Sequence, residues 1–342
     1  MRRSKPTIED VARKAGVSKS LVSLVMRGGR HVSEKRRAAV MQAVAKLSYR
    51  PNAMARGLKE RRTRLLGVLV SDLHNPFFAD LAEGIQDQAA RAGYRVLVTT
   101  SNRSPAQEEA AIETLLQLRV DGLILTGLLV ESRLIVQASR ELPVVLVGRV
   151  AKATSLDSVT NDDRAGAQAV VQHCASLGHR RIAHIDGGQG AGADARRRGY
   201  EDGMRQLRLR KYLRVVPGAF TEDAGHSGAL LLLDQRPRPT AIFASNDLAA
   251  IGALNALEER GLRVPDDVSL AGYDNTSLAA LRHVSLTTVH QPRLEMGQMS
   301  VAILLERLHE GRTRFRRAVL SPSLVVRGTT APPAAEPKAA RR

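Results

Sequence analysis

Residues 7–47 carry the hydrophobic pattern that most constrains what this chain can fold into. The apolar positions recur at i, i+3, i+4 and i+7 and predict one buried helical stripe: Ile8, Val11, Ala12 and Ala15. Gly16 allows a tight left-handed turn after this helix, and Ser18 is placed to cap a second helix over residues 19–26. A third helix is predicted to begin after Ser33, so the segment has the pattern of a helix-turn-helix.

Positive charge is concentrated in the same module. Residues 1–64 contain 18 Lys and Arg against 4 Asp and Glu, which accounts for +14 of the chain's net charge of +18. A small three-helix bundle with a basic surface would also fit the apolar pattern. Charge confined to one module, however, is typical of a phosphate-binding surface, and the second helix of a helix-turn-helix fits the major groove of DNA. The pattern therefore predicts DNA binding.

Ordered motifs continue through the head of the chain. They are Thr7-Ile8-x-Asp10-Val11-Ala12-x-x-Ala15-Gly16-Val17-Ser18, Val22-Ser23, Val32-Ser33, Tyr49-x-Pro51-Asn52, Ala55-Arg56-x-Leu58 and Arg62-Thr63. Together they resemble the DNA-binding head of the lactose-repressor (LacI/GalR) family, and the resemblance continues almost to residue 330. It implies a cytoplasmic repressor of a catabolic or transport operon, which binds a pseudo-palindromic operator as a homodimer under the control of a small effector. A protein of this kind is not an enzyme and needs no cofactor or metal.

The resemblance also assigns the DNA contacts. They are expected at Thr7, Ser18, Lys19, Ser20, Ser23, Leu24, Arg27, His31, Asn52, Ala55, Arg56 and Leu58. Base contacts fall on Lys19, Ser20 and Leu24, of which Leu24 offers only apolar contact. Leu58 matches the leucine that the family's hinge helix wedges into the minor groove. A plain linker, with Leu58 packed on the next domain, is the alternative.

From Leu65 onward, short apolar strands alternate with helices. Strands are predicted at 65–70, 94–98, 121–126, 143–148, 181–185, 213–216, 241–244, 268–273 and near 318–326. Such strands form parallel sheets that are covered on both faces. The fold class is therefore a small all-α helix-turn-helix head plus an α/β body of two doubly wound parallel-sheet subdomains, which the resemblance identifies as periplasmic-binding-protein-like.

The predicted boundaries follow from these segments. Residues 1–50 form the DNA-binding domain, 51–64 the hinge helix and linker, and 65–329 the effector-binding and dimerisation body. Within the body, 65–161 and 292–322 form an N-subdomain, and 162–291 and 323–329 form a C-subdomain. Residues 330–342 are rich in Ala and Pro, lack apolar periodicity and are predicted to be disordered.

Ligands bind outside the carboxyl ends of parallel strands, so the effector is expected in a cleft between the two subdomains. Matching the family's pattern residue by residue gives these effector contacts: Asn75, Phe78, Thr126, Arg149, Asp162, Arg196, Phe220, Asn246, Asp274 and Gln291. Gly148 departs from the family, in which many sugar-binding members carry an aspartate there. Two arginines, Arg149 and Arg196, without that carboxylate leave room for an acidic or phosphorylated sugar.

Several of these residues have a plain structural interpretation. Asp274 and Asn246 could cap following helices, and Arg196 belongs to a run of three arginines of the kind that usually faces solvent. Of the adjacent pair Phe77 and Phe78, Phe78 is favoured for the cleft.

Other functions are weakly indicated. Gly188-x-Gly190-x-x-Ala193 resembles a dinucleotide fingerprint, but no acidic residue ends the next strand to bind a ribose. A transport-type solute-binding protein or a sugar enzyme would share the body but not the basic head, and no export signal precedes it. The single cysteine, Cys174, excludes an intrachain disulfide and is expected to be buried.

Overall fold

The computed structural model describes residues 6–26, 28–29, 31–49, 62–129, 132–150 and 156–334. The chain divides into two compact units after Thr63. The predicted hinge contacts Asn52, Ala55, Arg56 and Leu58, together with Arg27, lie outside the described residues.

The first unit contains the three helices that the apolar pattern predicts: α1 (Ile8–Ala15), α2 (Lys19–Met26) and α3 (Glu34–Leu47). The Thr7 hydroxyl accepts from the Asp10 amide, and the Asp10 carboxylate accepts from the Thr7 amide, a reciprocal cap that begins α1. Gly16 ends α1 with φ +64°, a left-handed conformation that glycine adopts without strain. The core of the unit is made by Val11, Ala12, Val22, Val25, Val40 and Ala43.

The N-subdomain contains a six-stranded parallel sheet with helices on both faces. Its strands are β1 (Leu65–Val70), β2 (Arg95–Thr100), β3 (Gly122–Thr126), β4 (Val144–Val147), β5 (Asp157–Asn161) and β11 (Arg317–Leu320), in the order β11-β5-β4-β3-β1-β2. Its helices are α4 (Pro76–Arg91), α5 (Pro105–Gln117), α6 (Arg133–Glu141) and α11 (Arg293–Glu310). Gly84 of α4 and Gly297 of α11 let these two helices pack closely, since a Cβ on Gly84 would lie 2.2 Å from the Leu294 carbonyl oxygen.

The C-subdomain contains a four-stranded parallel sheet. Its strands are β6 (Ile182–Ile185), β7 (Val215–Val216), β8 (Ala241–Ala244) and β9 (Ser269–Ala271), in the order β7-β6-β8-β9. Its helices are α7 (Asp163–Ser176), α8 (Ala193–Gln206), α9 (Glu222–Leu233) and α10 (Asp247–Glu259). Cys174 of α7 is buried, as predicted, and burial raises the pKa of its thiol to about 12.

Three connections join the subdomains. The chain passes from β5 to α7, from β10 (Thr288–His290) to α11, and from β11 to β12 (Ser323–Val325). Strands β10 and β12 pair antiparallel and form a separate two-stranded sheet, beside the two parallel sheets that the sequence predicted. Among the described residues, no helix is long and apolar enough to cross a membrane.

The structure corrects the sequence predictions at two places. Strand β5 was not predicted, although it lies fully buried between β4 and β11. The predicted disorder from Thr330 onward is wrong for residues 330–334, which are described and pack on the C-subdomain. The Thr330 hydroxyl bonds the His173 ring at 2.9 Å, and the Ala331 carbonyl accepts from the His179 ring at 2.8 Å. These bonds order a segment that has no apolar pattern of its own.

Candidate effector cleft and DNA-binding head

A cavity of about 560 Å³ lies where the carboxyl ends of the two parallel sheets face each other. The residues that follow the strands line it: Ser71, Asp72, Asn102, Arg103, Gly127 and Gly148 on the N-subdomain side, and Gly187, Gly218 and Asp274 on the C-subdomain side. This is where ligands bind to open parallel sheets.

Arg196, on the first turn of α8, is held on several sides. Its Nε donates to Asp163 Oδ1 at 2.9 Å, and its Nη1 donates to the Ser245 carbonyl at 2.7 Å and lies 3.6 Å from Asp274 Oδ1. The guanidinium carbon lies 3.8 Å from the Tyr273 ring centroid and 5.0 Å from that of Phe220. The side chain is 5% exposed, so the solvated-surface interpretation of Arg196 is wrong.

Asp274 projects into the cavity from a left-handed backbone conformation, with φ +117°. Its Oδ1 accepts from Gln291 Nε2 at 2.6 Å, and its carbonyl accepts from Arg293 at the start of α11. Burial raises the pKa of the Asp274 carboxyl to about 7, because Arg196 and Arg293 only partly offset the desolvation of the charge. Arg293 Nη2 also donates to Asp80 Oδ2 of α4 at 2.7 Å, so this arginine joins the backbone at Asp274 to the N-subdomain.

Phe220 forms one wall of the cavity and packs closely against glycines. The Phe220 ring lies against the loop that contains Gly187 and Gly190, where an added Cβ would lie 2.4 Å and 2.3 Å from ring carbons. This packing accounts for Gly190 of the sequence that resembles a dinucleotide fingerprint, while Gly188 has φ +62° and an added Cβ there would lie 2.8 Å from the Gly218 carbonyl oxygen. On the N-subdomain side, Asn75 caps α4 by accepting from the Phe77 amide at 3.0 Å. Phe77 and Phe78 both border the cavity, with their ring centroids 5.1 Å apart.

The structure brings six of the ten predicted effector residues to the cavity. They are Asn75, Phe78, Arg196, Phe220, Asp274 and Gln291. Charged or amide side chains that the sequence interpretation missed also line it: Asp72, Asn102, Arg103, Asp163 and Gln189. Arg103 Nε lies 3.5 Å from Asp72 Oδ2, so this arginine, like Arg196, has an acidic partner.

The other four predicted residues do not line the cavity. Thr126 is fully buried, and its hydroxyl donates to the Leu69 carbonyl at 2.9 Å. Asp162 caps α7 by accepting from the Ala165 amide at 3.0 Å, which leaves the neighbouring Asp163 to face Arg196. Asn246 caps α10, as its structural interpretation suggested, and its Nδ2 donates to the Phe220 carbonyl at 3.4 Å.

Arg149, the fourth, crosses the edge of the cleft. Its Nε and Nη2 donate to the Leu128 and Leu129 carbonyls of the N-subdomain, each at 3.0 Å, and Nη2 also donates to the Gln189 carbonyl of the C-subdomain at 3.2 Å. The preceding Gly148 has φ +83°, a conformation that an aspartate at this position would adopt only with strain. Arg149 therefore bonds backbone on both sides and is not positioned to hold a ligand's acidic group.

The predicted DNA contacts that the structure describes lie on α2, at the residues that cap α1 and α2, and on the segment after α2. Ser18 accepts from the Leu21 amide at 3.2 Å and so caps α2, while Ser20 and His31 are exposed and Thr7 caps α1. Lys19 is exposed but ion-paired with Glu9 of α1. Leu24 packs against Gly29, where an added Cβ would lie 2.5 Å from the leucine Cδ1. Ser23, half-buried, lies on the same helix.

Comparison with known proteins supports both halves of this description. Residues 7–52 match the model of the bacterial regulatory proteins of the lacI family, and residues 171–330 match that of the periplasmic binding protein-like domain. The ribose operon repressor of Haemophilus influenzae is 33% identical over 323 residues, which cover 94% of this chain and 97% of that repressor.

Two solved structures extend the similarity to the whole fold. A lac repressor dimer bound to operator and the anti-inducer ONPF is 30% identical and superposes with a TM-score of 0.84, covering 96% of this chain and 100% of that one. A complex of the transcriptional regulator CelR with cellobiose is 31% identical with a TM-score of 0.72, covering 95% and 99%. With its helix-turn-helix head and its cleft between two parallel sheets, this chain belongs to the LacI family of DNA-binding, effector-responsive transcription regulators.

Proposed function

We propose that this protein is a homodimeric repressor of a catabolic or transport operon, which acts in the bacterial cytoplasm and is released from its operator when an effector enters the cleft. The basic head and the similarity to an operator-bound lac repressor dimer support the DNA-binding half of this proposal. The contact positions proposed for base readout are Lys19, Ser20 and Leu24. Two-fold symmetry would place two heads on a pseudo-palindromic site.

The effector that best fits the cleft is a neutral, polyhydroxylated molecule such as a sugar. Arg196 is neutralised by Asp163 and Asp274, and Arg103 by Asp72. With Arg149 turned to backbone carbonyls, each arginine described at the cleft already has an acidic or carbonyl partner, which disfavours bidentate binding of a carboxylate or phosphate. Buried carboxylates and amides instead suit hydroxyl groups, and the Phe220 ring suits the C–H face of a sugar. Relatives named for ribose and cellobiose support the same class.

The observation that carries the proposal is the Arg196 cluster, in which two buried carboxylates and two aromatic rings surround one guanidinium at the wall of the cavity. Thermal-shift screening across neutral sugars, sugar acids, sugar phosphates and purines tests it. Neutral sugars are expected to raise the melting temperature, and Arg196→Ala and Asp274→Ala are expected to remove the effect. A ligand whose affinity survives both substitutions would refute this site assignment.

A further inference from the structure

A strip of cations covers the end of the C-subdomain opposite the effector cleft. Strands β6, β7 and β8 begin there, and the segments that lead into them lie side by side. Arg181 Nε donates to the Arg238 carbonyl at 2.9 Å, and Arg214 Nη1 donates to the Pro237 carbonyl at 2.9 Å. These segments contribute seven residues that we call the basic strip: Arg180, Arg208, Arg210, Lys211, Arg214, Arg236 and Arg238.

The basic strip differs from most of the other surface arginines of the C-subdomain in its lack of acidic partners. Neighbouring arginines are ion-paired within the fold: Arg164 with Asp202, Arg197 and Arg205 with Glu201, Arg198 with Asp194, Arg260 with Asp234, and Arg263 with Asp267. Among the described residues, none of the seven strip cations has an ion pair with an acid. Arg238 Nε is in addition buried without a hydrogen-bond partner in the part of the chain that the structure describes.

Such a concentration of like charge destabilises the folded state by self-repulsion unless a partner neutralises it. Lys211 and Arg214 of the strip line a pocket of about 170 Å³, whose walls also include Tyr212, Pro237 and Pro239. Arginine by itself is also common in protein–protein interfaces, but seven cations with no acid among them are typical of a surface that follows nucleic-acid phosphates. The composition of the strip therefore favours a polyanion over an acidic protein.

We propose that the basic strip binds the phosphate backbone of a second DNA duplex, separate from the duplex held by the helix-turn-helix head. One protein molecule then holds two segments of DNA. Binding at the strip is independent of base sequence and strongly dependent on salt, because it arises from the release of counterions.

A two-duplex assay with the full-length protein tests this proposal. A short random-sequence duplex on beads captures the protein, and recruitment of a second, labelled duplex is then measured over a range of salt concentrations. The strip variant is Arg180→Ser/Arg208→Ser/Arg210→Ser. The matched control, Arg133→Ser/Arg140→Ser/Arg282→Ser, removes the same charge at other exposed positions of the body.

The strip variant is expected to keep the first capture and to lose most of the second, with the salt slope of recruitment reduced by roughly 2 to 3 for three lost phosphate contacts. The control variant is expected to recruit like the wild type. Equal recruitment by the strip variant and the wild type, or an equal loss in both variants, overturns the proposal.

Lysine acetylation provides a second readout that needs no variant. Lys211 is the only lysine between Lys152 and Lys338. Its acetylation, followed by mass spectrometry, is expected to fall when duplex DNA is added to the wild-type protein. If DNA leaves it unchanged, or if poly-glutamate protects it better than DNA does, the strip is not a DNA-binding surface.

Discussion

Burial of Asp274 makes the protonated carboxyl better for folding, whereas the ionised carboxylate is better for binding a hydroxylated effector. With a folded-state pKa near 7 against an ordinary value of 3.8, the carboxyl binds a proton more readily in the folded protein than in the unfolded chain. Its contribution to stability is therefore fully present below pH 4 and is lost as the pH rises through about 7. A hydroxylated effector, in contrast, donates best to the ionised form, so its affinity should rise over the same pH range.

Asp274→Asn separates the effect of this charge on stability from its effect on effector binding. The asparagine can still accept from Gln291, but it carries no charge that would need desolvation. The melting temperature of the ligand-free variant should fall less than that of the wild type between about pH 5 and about pH 8. Effector affinity should be weak at both values. Asp162→Asn, at an exposed helix cap, is the control and should follow the wild type; an unchanged pH profile in Asp274→Asn would contradict this account.

Lys19 offers a second test on a single side chain. Its ammonium pairs with Glu9 in the free head, and a guanine contact requires it to leave that partner. Lys19→Ala should weaken binding to the preferred operator by about 1–3 kcal/mol and weaken binding to random DNA less. Glu9→Ala, which frees the lysine, should not weaken operator binding. An equal loss on every sequence, with a reduced salt slope, would reduce Lys19 to a phosphate contact.

At this scale the sequence predicted the chemistry of the cleft better than its geometry. Arg196 and Phe220 follow from the resemblance to the family, and the structure has both at the wall of the cavity. The choice between Asp162 and Asp163 depends on which of them caps α7, and a helix start is uncertain by a residue or two in any sequence prediction. Arg149 was predicted to contact the effector, but the structure has its guanidinium on three carbonyls, a set of contacts that leaves no side-chain pattern.

Among the secondary-structure elements, β5 shows why an element can be missed. Asp157-Ser158-Val159-Thr160-Asn161 has neither an apolar run nor an apolar alternation, yet all five residues are buried. Position in the sheet explains this, because β5 pairs with β4 on one side and β11 on the other, and the Asp157 carboxylate at its start has cationic partners. Asp157, with no exposed side-chain surface, lies 2.7 Å from Arg307 and 3.0 Å from Arg312.

Asp157 should accordingly be critical for this edge of the N-subdomain. Asp157→Ala leaves the partly buried Arg307 without its carboxylate and Arg312 with Glu306 alone, and should lower the free energy of unfolding by about 3 kcal/mol. Asp162→Ala, which removes only a helix cap, should lower it by about 1 kcal/mol. Urea denaturation followed by circular dichroism compares the two, and similar losses would show that the Asp157 cluster adds little to stability.

For the whole molecule, the prediction concerns the coupling between DNA and effector. The predicted hinge segment, residues 53–59, is short and contains Gly57, so it should be a poor helix alone and should depend on the DNA-bound dimer for its order. If the effector weakens operator binding, the operator must weaken effector binding by the same factor, typically equivalent to about 1–3 kcal/mol. Titrating effector with and without saturating operator measures this factor. Identical affinities would exclude allosteric coupling, and tighter binding on operator would make the ligand a corepressor.

The bonds of Arg149 to main-chain oxygens have a consequence for how the cleft can diversify. Leu128, Leu129 and Gln189 supply only carbonyls to this arginine, so their side chains can change without loss of the bridge between the two sides of the cleft. Closure of the cleft and the choice of ligand thus depend on separate sets of atoms. Substitutions around the cavity can then change the ligand that the protein recognises without removing this contact between the subdomains.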